Sequence, residues 1–446
     1  MANSPRPVEK RAESVEQGEE LQALSGRWTI CAMLFVATSI NYMDRQVLSI
    51  LKPALSGSVL HLEPLLPWIP ATEVSIHLTD VQYGNILAAF QIAYALGVVF
   101  AGRLVDRLGC RKGYPIVTGL WSLAAMGHAL VNSVLGFGIA RFLLGLGESG
   151  NFPAAVKATA EWFPPKERAL ATGIFNSGSS VGAILAPLTV PWVALHFGWR
   201  AAFLITGLFS AIWIVWWSIR YRTPKRAEEM CEVVTLPPST LAWWKLLRYR
   251  QAWGFMLGKF LTDPVWWFFL FWLPQYFNSR FKLDLSHIGL PLVVVYVSST
   301  VGSVGGGWLP KKFVATGMTL KSARLAAMLT CACLVVPIAV AGGLHSVWFA
   351  VALLSLAAAA HQGWSANIFT TASDMFPAEH VGTVVSFGQV AGALGGAIFQ
   401  PVAGHILQLT NSFVPLFMYS ASAYIIALVL LRTLAPGLKR AELASN

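Results

Sequence analysis

The chain has 446 residues, of which 55% are hydrophobic and only 12% charged, with a formal net charge of +11. Mean hydropathy is +0.59 and the pI about 9.6. A soluble domain carries about 25% charged residues, so a surface this apolar needs lipid as its solvent. The excess positive charge sits in loops between apolar segments, which marks membrane topology rather than a nucleic-acid surface.

Residues 1–26 are polar, with both signs of charge and no apolar core or small-residue cleavage site. They read as a disordered cytoplasmic tail, not a secretory signal. Twelve apolar stretches follow, near residues 27–50, 80–104, 113–131, 136–163, 169–191, 200–219, 251–276, 288–309, 322–342, 346–375, 382–408 and 413–434. Each is close to the roughly 20 residues that a spanning helix needs. The longest polar interruption, 220–250, holds Arg220, Arg222, Lys225, Arg226, Lys245, Arg248 and Arg250 and reads as a cytoplasmic linker. The spacing therefore predicts an all-α membrane protein: a six-helix bundle over 27–219, a second over 251–434, and a short tail over 435–446.

Lys and Arg set the orientation. If the N-terminus is inside, the cytoplasmic loops hold Arg103, Arg107, Arg111, Lys112, Lys166, Arg168, the linker cluster, Lys311, Lys312, Lys321 and Arg324. The opposite loops hold little beyond Lys52, Arg200, Arg280 and Lys282. Both termini are placed in the cytoplasm of a bacterial-type inner membrane. The first outside loop, 51–79, is long and Pro-rich, and reads equally as an external cap or a disordered insertion. Five cysteines, Cys31, Cys110, Cys231, Cys331 and Cys333, fall in no outside loop, so no disulfide framework is expected.

The halves repeat one another. Gly178, Gly182, Ala183, Ile184 and Pro187 recur at the same spacing as Gly392, Gly396, Ala397, Ile398 and Pro401, and Glu161 to Pro164 match Asp374 to Pro377 just upstream. Such glycines let helices approach closely. Their recurrence at matched positions indicates two parallel six-helix repeats, the architecture of the major facilitator superfamily, whose site lies between the halves.

Between the second and third stretches, Gly102, Arg103, Asp106, Arg107, Gly109, Arg111 and Lys112 resemble the loop motif of that superfamily. Positive-inside anchoring accounts for the Arg and Lys but not for Asp106, so the motif is read as a gating clamp built on Gly102, Asp106, Arg107, Gly109 and Arg111. The matching second-half segment, Gly307 to Lys312, lacks the acid. Further segments resemble the anion:cation symporter family: Asn41 to Arg45, Arg141 to Pro153, and Glu167 to Gly173. Within it, Lys259 to Trp267 and His361 to Asn367 are similar to the hexuronate transporters. The resemblance implies proton-driven uptake of glucuronate or galacturonate. Galactonate, glucarate and a non-transporting sensor of the same fold are the alternatives.

Charges inside apolar helices are costly and should face a cavity or a partner. Asp44 and Arg45 lie in the first span. Arg141 and Glu148 lie in the fourth, seven residues and so about two turns apart on one face. A sugar acid offers one carboxylate and several hydroxyls. Arg suits a carboxylate because its planar fork engages both oxygens, which selects Arg45 and Arg141 for the substrate. Asp44 and Glu148 are the proton carriers: burial favours the protonated acid and a nearby Arg the ionised one. Tyr42, Tyr94, Asn176, Ser179, Trp364, Asn367 and Gln389 are read as ring and hydroxyl contacts, although each could equally serve helix packing. Lys259 and Asp263, at i and i+4, either face substrate or brace the chain at Pro264. His361 is read as a hydrogen-bonding packing residue.

No phosphate-binding Gly-rich loop, no His-Glu-x-x-His and no Cys/His constellation occurs. The expectation is a secondary transporter and not an enzyme, without cofactor or metal and without nucleic acid. Its partners are a small organic anion, protons and the bilayer, and it acts as a monomer.

Overall fold

A computed structural model describes residues 26–56, 77–163, 165–223 and 243–441. The readings made for residues 1–25, for 57–76 of the first outside loop, for 224–242 of the linker with its Cys231, and for the Asp106 side chain lie outside the described set. Twelve α-helices fill the described residues: α1 Arg27–Leu55, α2 Asp80–Gly127, α3 Val134–Glu148, α4 Asn151–Trp162, α5 Pro165–Phe197, α6 Trp199–Arg220, α7 Arg250–Phe281, α8 Gly289–Ala315, α9 Leu320–Val335, α10 Val347–Met375, α11 Ala378–Thr410 and α12 Val414–Leu434. The second and third membrane segments run together in α2, and the fourth is divided into α3 and α4, so the chain still crosses the membrane twelve times.

Local chemistry explains these boundaries. Within α2, Gly109 has φ +69 and ψ 163, a conformation that costs a residue with a Cβ more than it costs glycine. The reversal between the second and third segments therefore falls on the charged motif. The start of α2 is closed by a capping box: Thr79 accepts from the Gln82 backbone and Gln82 answers to the Thr79 N–H. After α9 the chain tightens into a 3₁₀ helix, Val336–Gly343, where Pro337 supplies no N–H.

One expectation is corrected. Lys52, assigned to the outside loop, lies in α1, which runs on through Pro53 to Leu55. Its side chain is buried because its amine meets Asp80 Oδ1 at 2.5 Å. Seven stretches are long and apolar enough to cross a membrane on composition alone, and they lie in α5, α6, α8, α9 with its 3₁₀ extension, α10, α11 and α12. The remaining spans carry the charges read from the sequence, in α1, α2, α3–α4 and α7.

The internal repeat is expressed as packing. A Cβ on Gly178 would meet Phe35 O of α1 at 2.4 Å, and one on Gly182 would meet Ser39 O at 2.2 Å. In the second half, a Cβ on Gly392 would strike Asp263 of α7, and one on Gly395 would meet Phe260 O at 2.2 Å. The matched pair Gly178 and Gly392 thus seats α5 on α1 and α11 on α7, with Gly395, opposite Val181 in the repeat, adding a backbone contact to α7. The matched prolines then reach across: Gly289 of α8 lies against Pro187 O, and Gly84 of α2 against Gln400 and Pro401. The halves meet through α2 with α11, α5 with α8, and α1 with α7.

Cross-half hydrogen bonds gather at the membrane end where α1 stops and α2 begins. Ser49 Oγ donates to Leu270 O (3.2 Å), Tyr83 Oη to Phe271 O (2.8 Å) and Gln275 Nε2 to Asp80 Oδ1 (2.6 Å); the Val81 N–H donates to Gln408 Oε1 (3.3 Å). Towards the opposite end, Gly102 of α2, Gly173 of α5 and Gly382 of α11 have nothing within 4 Å of an added Cβ. The cross-half hydrogen bonds described above thus hold the two bundles together at the first end.

Candidate functional site

The site is built where α1, α2, α3 and α7 converge. Tight glycine contacts fix α3: a Cβ on Gly145 would meet Phe90 O at 2.4 Å, and one on Gly147 would meet Trp121 N at 2.6 Å. With α3 pressed onto α2, Glu148, its last residue, is wholly buried beside α1. Arg45 Nε donates to Glu148 Oε2 in a buried ion pair. The Arg45 guanidinium is enclosed by four rings, Tyr42 at 4.7 Å, Tyr94 at 4.9 Å, Trp267 at 5.5 Å and Phe90 at 5.6 Å. Aromatic faces attract a cation, so this cage holds Arg45 in place whether or not Glu148 is ionised.

Arg141 does not pair with Glu148. Its Nη1 donates to Arg45 O at 3.1 Å, while Nε and Nη2 are buried without a hydrogen-bond partner. Asp44 is likewise buried, with neither carboxylate oxygen in a well-formed hydrogen bond, among Glu148, Arg141 and the hydroxyls of Thr206 and Ser210 on α6. Glu148 Oε1 is also unbonded, as are both amide atoms of Asn41, Gln46 and Gln91. Buried polar groups are almost always satisfied. Such a concentration of unsatisfied groups, among two arginines and two carboxylates, makes this the candidate site for a polar ligand.

The other residues read from the sequence divide. Tyr42 and Tyr94 belong to the Arg45 cage. Lys259 Nζ lies 2.8 Å from Asp263 Oδ2 on α7. Gln389 is half-buried on α11, Asn176 is exposed on α5, and Ser179 donates to Asn176 O. Asn367 donates to Gly306 O and Gly363 O, both at 2.8 Å, and so ties α8 to α10. Trp364 is buried and packs edge-on against Tyr424 of α12. In this conformation both serve the packing of the second half, away from the Arg45 cage. His361 bonds the Tyr424 hydroxyl at 2.6 Å and stacks on Trp266. In the loop motif, Arg107 and Arg111 are exposed and Cys110 is buried, its thiol 3.8 Å from Ala154 O.

Sequence reasoning missed Phe90, Gln91 and Trp267 as members of this site. The Gln91 amide had a usable signal, being a fully buried polar side chain inside an apolar span. A Cβ on Gly396 of α11 would meet it at 3.1 Å, which places Gln91 on the seam between the halves.

Two parallel bundles closed at one end, with charged groups buried at their seam, are the architecture of a secondary transporter. Residues 34–400 match the Major Facilitator Superfamily. The chain is similar to the hexuronate transporter of Escherichia coli (strain K12), 30% identical over 407 residues that cover 88% of this chain and 90% of the relative. It is also similar to the galacturonate transporter of Dickeya chrysanthemi, 32% identical over 300 residues, 64% and 82% of the two chains. Its fold matches a bacterial homologue of the human lysosomal transporter Spinster, solved inward-facing and occupied, with a TM-score of 0.68, 16% identity and coverage of 92% and 96%. The chain belongs to the major facilitator superfamily: it is a multi-pass membrane transporter and not an enzyme.

Proposed function

We propose that the chain carries a hexuronate into the cell together with protons, by alternating access. The observation that carries this reading is the pair of buried arginines set against two buried carboxylates, with N–H groups of Arg141 and oxygens of Asp44 and Glu148 left without partners. A substrate carboxylate would take the free fork of Arg141 and compete with Glu148 for Arg45. Glu148, displaced from its cation in a dry site, would then hold a proton. Release of substrate would let the Arg45–Glu148 pair reform and return that proton to the open side.

The positive-inside distribution puts both termini in the cytoplasm. On that orientation the closed end, at Lys52 and Asp80, faces outside, and this conformation opens inward. The charged motif around Asp106 then lies at the cytoplasmic mouth, where it would clamp the opposite state.

The likeness to hexuronate and galacturonate carriers supports this substrate class over galactonate or glucarate. Uptake of a panel of labelled sugar acids into right-side-out vesicles, with and without an imposed pH gradient, tests it. Concentrative uptake of glucuronate or galacturonate driven by an inward proton gradient is the expected result. Failure to transport either acid would overturn the reading.

A further inference from the structure

We propose that the Lys259–Asp263 pair receives the uncharged end of the substrate, and that Asp263, by neutralising Lys259, sets a preference for acids with one carboxylate over acids with two. The proposal rests on the sugar-acid reading and adds what happens at the far end of the molecule.

Four observations place the pair. Asp263 and Trp267 are i and i+4 on α7, hence on one face, and the Trp267 ring covers Arg45 at 5.5 Å. The rise from Asp263 to Trp267 is about 6 Å along α7, so the carboxylate lies little more than one turn from the ring that covers Arg45. Tyr42, stacked on Arg45, lies within electrostatic reach of both Glu148 and Asp263. Finally, Gly392 of α11 leaves the Asp263 carboxylate the space that any side chain would fill, since a Cβ there would sit 2.0 Å from Oδ2. These contacts set the Asp263 carboxylate beside the Arg45 cage, where the far end of an acid bound at Arg45 would face it.

The two partners are unequally exposed. Lys259 is buried, its ammonium 4.2 Å from the centre of the Phe369 ring, whereas Asp263 keeps 17% of its side chain open. The pair spans the turn that precedes Pro264 within an unbroken α7, so a brace alone would leave Asp263 no reason to keep an open oxygen. A buried ion pair is also a poor source of stability against well-packed apolar groups. An open carboxylate oxygen accepts hydrogen bonds from neighbouring hydroxyls, whereas a second substrate carboxylate would meet like charge. Lys259, already matched, offers that second carboxylate no net attraction.

Glucuronate and glucarate test this, since they differ in one terminal group. Competition against labelled glucuronate on the purified, detergent-solubilised transporter gives the ratio of their affinities. Wild type should favour glucuronate. Asp263→Asn exposes Lys259 and should move the ratio towards glucarate by about tenfold or more, given that like-charge contacts cost several kcal/mol and each 1.4 kcal/mol is tenfold. Lys259→Gln leaves Asp263 uncompensated and should move the ratio the other way, which keeps the proposal testable if Asp263→Asn fails to fold. An unmoved ratio in whichever of these variants binds glucuronate overturns the proposal and leaves the sugar-acid reading standing. If wild type binds neither acid, that reading falls and this one with it.

Discussion

Arg45 of α1 and Glu148 of α3 form a buried ion pair in which one carboxylate oxygen of Glu148 has no partner. The two residues are 103 positions apart, and it is the glycine contacts of α3 that bring them together. The rings around Arg45 hold the cation, and the proposed mechanism assigns the proton to Glu148. Glu148→Gln should abolish proton-driven accumulation while sparing counterflow exchange, which needs no net proton movement. Labelled-substrate counterflow in liposomes, set beside gradient-driven uptake, measures both. A variant that still concentrates substrate up a proton gradient removes Glu148 from coupling.

Arg141 has two buried nitrogens, Nε and Nη2, without a hydrogen-bond partner. Arg141→Lys keeps the charge but loses the fork, and should weaken substrate binding by about tenfold or more, a loss of at least about 1.4 kcal/mol. Near-wild-type affinity by scintillation proximity would reassign the carboxylate to Arg45 alone.

How far this site could be read in advance depended on charge. Asp44, Arg45, Arg141 and Glu148 stand out because an ionised side chain in a membrane span is rare and costly. Which Arg takes Glu148 did not, because periodicity places Arg141 and Glu148 on one face but says nothing of the rotation of α3 against α1. That rotation is set by Gly145 and Gly147 pressing on Phe90 and Trp121. Trp267 was hidden for a different reason: it is one of 18 tryptophans, and most rings in a lipid-facing chain only pack. Asn367 shows what sequence leaves open, since its amide bonds the carbonyls of Gly306 and Gly363 in this conformation, whereas the Trp364 indole N–H is buried without a hydrogen-bond partner. The repeat was legible because close helix approach demands glycine at matched positions in both halves.

The closed end relies on glycines that abut opposing backbone. A Cβ on Gly404 would meet Asp80 O at 2.4 Å. Gly404→Val should wedge this end apart and shift the population towards the outward-open state. Spin labels on Leu130→Cys and Leu409→Cys, both exposed positions at this end, should report a longer distance by pulsed electron resonance. An unchanged distance distribution would mean the seam is not the gate.

At the other mouth, Asp106→Asn should alter transport rate more than the intrinsic affinity of the binding-competent state, because a clamp biases populations without touching the ligand. Cys110, four residues along and buried, serves as the reporter: its labelling by a thiol reagent should change with the clamp. Unaltered transport and unaltered labelling would reduce the motif to a topological anchor.

Asp44 is in no ion pair among the described residues, and on the proposed mechanism it is a second candidate proton carrier beside Glu148. Two protons with one hexuronate move one positive charge inward, and each 100 mV then adds about 2.3 kcal/mol to accumulation. Liposomes under a potassium–valinomycin potential, negative inside and without a pH gradient, should take up substrate. Uptake indifferent to that potential would limit the cycle to one proton and leave Asp44 as a fixed counter-charge for Arg141.

The make-up of the closed seam bears on where such a voltage acts. Lys52 and Asp80 belong to the same half, and what reaches across to them and around them is uncharged: the amides of Gln275 and Gln408, the hydroxyls of Ser49 and Tyr83, and bare glycine backbone. Among the described residues, parting this seam exchanges those neutral groups, and the bond from Gln275 to the Asp80 carboxylate, for water, while the Lys52–Asp80 pair stays together in its own half. On the proposed orientation this end is the outer gate, and a voltage would act chiefly on the proposed cargo and its protons.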